Sequence, residues 1–96
     1  MNLLKIFSKE QEQHPAEKNI YAVTTGDYVG EMLVYIDEVG DNYRFLSVPK
    51  NVNRVVPKEK FDFGRNNDII EFVQEAPKEV YDVIRKQFYY NEDSNN

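Results

Sequence analysis

Ninety-six residues with 41% hydrophobic, 30% charged and 14% aromatic content suit one domain with a single modest core. The chain has no Cys and one His, which excludes a disulfide framework, a thiol nucleophile and a thiolate metal site. The formal net charge is −5, and no apolar run approaches the roughly 18 residues of a membrane span.

Along the chain, residues 1–18 read as a polar tail apart from Leu3, Leu4, Ile6 and Phe7, which can form one amphipathic turn. The opening MNLLKIF is too short in its apolar part for a signal peptide, so a cytoplasmic location and no membrane contact are expected. Ile20–Thr25 is β-branched and aromatic, and Gly26-Asp27 closes it as a turn. In the next strand, Glu31–Val39, Met32, Val34 and Ile36 share one face while Leu33 and Tyr35 share the other. VGDNY is a hairpin turn signal, leading into a third strand over Tyr43–Val48. Asn53–Val56 is a fourth, short strand between Pro49 and Pro57. Its prolines and lysines are those of a sheet edge.

A short turn at PKEKF is expected next. Phe45 and one of Phe61 or Phe63 are expected in the core. Asp68–Ala76 fits a helix face with a capping box, but it is short, β-branched and followed by Pro77, so a strand is favoured. A helix follows Pro77 with Val80, Tyr81, Ile84 and Phe88 on one face, and NEDSNN, residues 91–96, reads as a frayed tail. The domain proper is therefore 19–90. Its class is α+β: a small antiparallel sheet, or an SH3-like partly open barrel, of four to five strands with a C-terminal helix.

Charge is segregated along the chain. Residues 27–41 carry five acids and no base, and residues 42–65 carry Arg44, Lys50, Arg54, Lys58, Lys60 and Arg65 against Glu59 and Asp62. Such asymmetry either steers a partner or reflects neighbouring strands attracting each other within one sheet. No catalytic constellation is present: His14 lies in the tail, the Ser residues lack partners, and the four Gly are isolated. The carboxylate pairs Asp27 with Glu31 and Asp37 with Asp41 fall at turns. The expected function is therefore non-enzymatic protein binding with no cofactor and no metal. The six bases just named, with Tyr28 and Tyr89, are the candidate contact residues. Nucleic-acid binding through the basic 44–65 stretch is the alternative, opposed by a sequence pI of about 4.8.

TTGDYVGEMLVYI, YRFLSVPKNVNRVVPKEKFDFG and IIEFVQEAPKEVYDVIRKQF resemble a family of short uncharacterised proteins of contractile-tailed bacteriophages. The likeness spans about residues 20–90 and rests on Gly26, Gly30, Pro49, Pro57, Gly64, Pro77 and Tyr81. It implies only a phage accessory protein acting in the host cytoplasm, and it supplies no site residues; the protein partner expected from the residues would be a host protein, a viral protein or a second copy.

Overall fold

The computed structural model describes residues 15–94. Five strands and two helices follow in the order β1 (Asn19–Val23), β2 (Met32–Val39), β3 (Asn42–Val48), β4 (Val52–Pro57), α1 (Lys58–Asn66), β5 (Ile70–Glu75) and α2 (Lys78–Ser94). Every strand pairing is antiparallel, and the sheet order is β4-β3-β2-β1-β5. The leading 14 residues, including the expected amphipathic turn and His14, lie outside the described residues.

The alternation seen in β2 dictates the layers. Leu33 and Tyr35 point to one face and Val34 and Ile36 to the other, and all four are buried. A strand apolar on both faces needs cover on both sides. On one face Tyr21, Val23, Leu33, Tyr35, Tyr43, Phe45 and Ile70 pack with Phe61 of α1. Phe61 lies stacked on Phe45 at 5.7 Å between ring centroids and edge-on to Tyr21 and Tyr43 at 5.2 Å each. On the opposite face Val34, Ile36 and Leu46 pack with Ala76 and with Tyr81 and Phe88 of α2, with Ile20 and Ile84 alongside.

The sheet does not close into a barrel. Its two edge strands are β4 and β5, and α1 lies across the face between them, in contact with both. The turn expected at PKEKF is instead the start of this helix. Pro57 enters it with φ −55°, Glu59 and Arg65 complement its dipole, and Phe61 and Gly64 at i and i+3 form its buried stripe. Phe63, two residues from Phe61, is 61% exposed.

Residues 70–75 are a strand, as favoured. Asp68 takes φ +57° just before it, a backbone state that ends α1 rather than starting a new helix. β4 is an edge strand flanked by Pro49 and ending at Pro57, as its composition demands. Two expectations about α2 need correction. Val80 is exposed rather than on the buried face, and the helix runs to Ser94 instead of fraying after Tyr90. The extension is held because Asn91 donates to Asn51 O and Asn53 Oδ1, and Glu92 accepts from Arg44 and Asn53.

Gly64 marks the closest approach of α1 to β5. A Cβ built there would stand 2.7 Å from Ile70 Cδ1 and 2.8 Å from Ile70 Cγ1. Gly64→Ala is expected to destabilise the fold by about 1–3 kcal/mol. Urea denaturation would read this as a lower midpoint at unchanged slope, and an unchanged midpoint would refute the close approach.

Candidate functional site

The loop from Thr24 to Gly30 joins β1 to β2 and is exposed throughout. Gly26 and Gly30 sit at φ +93° and +88°, so the loop folds back on itself through two residues that tolerate left-handed backbone. Its ends are tied: Val23 N–H donates to Glu31 O and Gly30 N–H donates to Val23 O, each at 3.0 Å. The loop thereby brings Glu31 under the sheet edge, where only 3% of it is exposed.

Glu31 is surrounded by donors. Its Oε1 accepts from Ser47 Oγ at 2.5 Å and Arg54 Nε at 3.1 Å, and its Oε2 accepts from Arg54 Nη2 at 2.9 Å. Lys50 Nζ adds a contact of 3.4 Å. The bidentate Arg54 guanidinium outweighs the burial penalty and holds the Glu31 carboxyl down at about 2. The same guanidinium lies over the Tyr28 ring, 4.3 Å from its centroid, and so fixes the loop's aromatic side chain.

Beside this cluster is a cleft of about 230 Å³. Val23, Leu33 and Ile70 of the sheet face, Val55–Pro57 of β4, and Ile69 give it an apolar lining; Thr25, Asp27 and Tyr28 of the loop and Lys60 of α1 add polar groups. A larger hollow of about 550 Å³ runs along Asp82, Arg85, Lys86, Tyr89, Tyr90 and Asp93. Every described residue lining it belongs to α2, so the described chain gives it one wall. The cleft, built by five separate segments, is the better-formed site.

The eight residues singled out in the sequence do not share one surface. Tyr28, Lys50 and Arg54 gather around Glu31, and Lys60 lines the adjoining cleft. Arg44 and Tyr89 meet on the α2 side of the sheet. There Arg44 holds Asp37 through two bonds of 2.6 and 2.7 Å, Tyr89 donates to Asp37 Oδ2, and the Asp37 carboxyl is lowered chiefly by Arg44. Lys58 pairs with Glu38, and Arg65 donates to Ile70 O and lies over the Tyr21 ring. The basic residues of 44–65 are thus largely met by acids of 27–41. Sequence reading missed Glu31 and Ser47 as a buried pair and the aliphatic lining of the cleft. The positions were visible, but only the strand register brings Glu31 to Arg54.

Among the described residues there is no group of three or more His, Cys, Asp or Glu able to hold a metal, and no helix long and apolar enough to cross a membrane. No protein-family model, no curated protein and no solved structure matches the chain.

Glu31 ionises more readily in the folded chain than in the unfolded one. Its stabilisation is fully present above pH 4.5 and drains away as the pH falls towards about 2. A shift of that size corresponds to about 3 kcal/mol. Glu31→Gln leaves Arg54 without its counter-charge and is expected to cost about 3 kcal/mol at pH 7. The gap to wild type should narrow between pH 5 and pH 2 in denaturant titrations, and a gap independent of pH would show that Glu31 is not ionised in the fold.

Proposed function

We propose that this chain is a non-enzymatic protein-binding domain whose receptor surface is the cleft between the Thr24–Gly30 loop, β4 and α1. The observation that carries the reading is the cleft's composition: a mainly apolar lining drawn from separate segments, with Asp27, Tyr28 and Lys60 among it. Its volume of about 230 Å³ is below the about 300–1,000 Å³ usual for small-molecule and cofactor pockets. It suits an aliphatic or aromatic side chain projecting from a partner. Glu31, the deeply buried acid beside it, is ionised and bonded through both oxygens, which fits a structural brace better than an acid–base catalyst working near neutral pH.

The resemblance to phage proteins is in keeping with an accessory role in a bacterial cytoplasm, the partner being a host, viral or identical protein. A nucleic-acid partner is the weaker reading. Arg44, Lys50, Arg54 and Lys58 each face a carboxylate within the domain, so their charge is partly spent before any phosphate approaches.

Tyr28, 44% exposed in the loop that walls the cleft, can be truncated without disturbing the core. Tyr28→Ala is expected to weaken capture of the partner by tenfold or more, since burying one large apolar side chain contributes about 1.5–3 kcal/mol. Quantitative mass spectrometry after affinity capture from bacterial lysate, with gel filtration for self-association, measures this. Identical capture by both proteins, or no partner together with a monomer, would sink the proposal.

A further inference from the structure

The two sheet edges differ. β4 ends at Pro57, follows Pro49 and Lys50, and carries Arg54, all features that discourage further pairing. β5 contains neither Pro nor Lys, and five of its six residues are exposed, Phe72 at 42% and Val73 at 43%. Among the described residues no strand pairs with its outer side.

The register fixes which backbone groups face outward. In an antiparallel ladder, residues alternate between pointing their N–H and C=O at the neighbour and pointing them away. Thr24 N–H donates to Ile69 O at 2.8 Å, and the pairs Val23↔Ile70, Ala22↔Glu71 and Tyr21↔Phe72 follow in step. That parity turns the groups of Ile70 and Phe72 away from β1. Ile70 O is already met by Arg65 Nη1 at 2.9 Å. Beyond the shift in register, Ala76 N–H donates to Lys18 O, and the pair Asn19↔Glu75 leaves the groups of Glu75 outward.

Side chains define what would pair there. Phe72 lies on the α1 face, edge-on to Tyr21 at 5.8 Å, while Glu71, one residue before it, projects to the opposite face and is exposed. Residues 66–77 hold Asp68, Glu71 and Glu75 and no Lys or Arg. We propose that the outer edge of β5 at Phe72–Glu75 receives an extended segment of another protein in which apolar and basic residues alternate. The apolar positions lie beside Phe72 and the basic ones beside Glu71, with the backbone of Phe72 bonded to the incoming strand. A second copy of this chain is the poorer occupant, because joining two β5 edges sets the same acids against each other. This surface goes beyond the cleft, whose lining does not include Phe72–Glu75.

The test uses the full chain and a ten-residue peptide of alternating Lys and Val, followed by fluorescence anisotropy at low salt and by amide hydrogen exchange. The expected result is binding with new protection at Phe72 and Glu75. Methylating the peptide nitrogens on one edge should weaken binding at least about tenfold by removing the backbone bonds. Glu71→Lys should weaken the Lys–Val peptide and favour a Glu–Val peptide instead, by roughly threefold to tenfold each. The proposal is overturned by equal binding of the methylated peptide, by absence of binding, or by protection of Phe72 before any peptide is added. New protection at Lys60 instead would place the peptide in the cleft, overturning the β5 site while leaving the cleft reading standing.

Discussion

The structure depends on β2 being apolar on both faces. Leu33 and Tyr35 on one side and Val34 and Ile36 on the other are all nearly inaccessible, so neither face of the sheet can be left to water. In so short a chain this requires two separate covers. α2 covers one face with Tyr81, Ile84 and Phe88. α1 is only nine residues long and covers the other mainly through Phe61, wedged among Tyr21, Tyr43 and Phe45. The small helix can do so because the sheet supplies most of the aromatic surface on that side, and because Gly64 lets it settle directly onto Ile70.

Polar anchoring follows the same two-sided plan. On the α1 side, Glu31 binds Arg54, Ser47 and Lys50 and so ties the β1–β2 loop to β3 and β4. On the α2 side, Arg44 binds Asp37 and Glu92 while Asn53 donates to Phe88 O, tying the last turns of α2 to the sheet. A one-residue slip in register between Tyr35 and Asp37 sets Asp37 opposite Arg44. Pairs of this kind, buried at Glu31 and half-buried at Asp37, add less net stability than their short distances suggest, because desolvation offsets the attraction. Their clearer contribution is to fix one position for the loop that walls the cleft and for the end of α2.

The strands and α2 were legible because local alternation, turn residues and the proline before α2 agree with the final packing. α1 was not. Phe61 and Phe63 stand two apart, which imitates a strand, yet one is fully buried and the other mostly exposed. The helix is specified by Phe61 with Gly64, and a glycine is easily passed over as an apolar position. The last turn of α2 was misread for a different reason. NEDS looks like a solvated tail until Asn91 and Glu92 meet Asn53 and Arg44, 38 and 48 residues earlier in the chain. The cleft was illegible for the same cause, since its aliphatic walls come from segments that only the sheet brings together.

The charge pattern that first suggested a basic binding surface acquires a different meaning once the strand order is known. The acidic 27–41 stretch and the basic 42–65 stretch are successive parts of one antiparallel ladder, β2-β3-β4 running into α1. Asp37 meets Arg44, Glu31 meets Arg54, and Glu38 meets Lys58. The two blocks therefore cancel within the sheet. What they leave uncompensated is the acidity of residues 66–96, which holds most of the chain's net −5 and includes the β5 edge. The long-range field of the domain is thus set by its acids, and its basic residues act mainly as internal ties. Any anion approaching the basic stretch would meet Arg44, Lys50, Arg54 and Lys58 already facing carboxylates of the same domain.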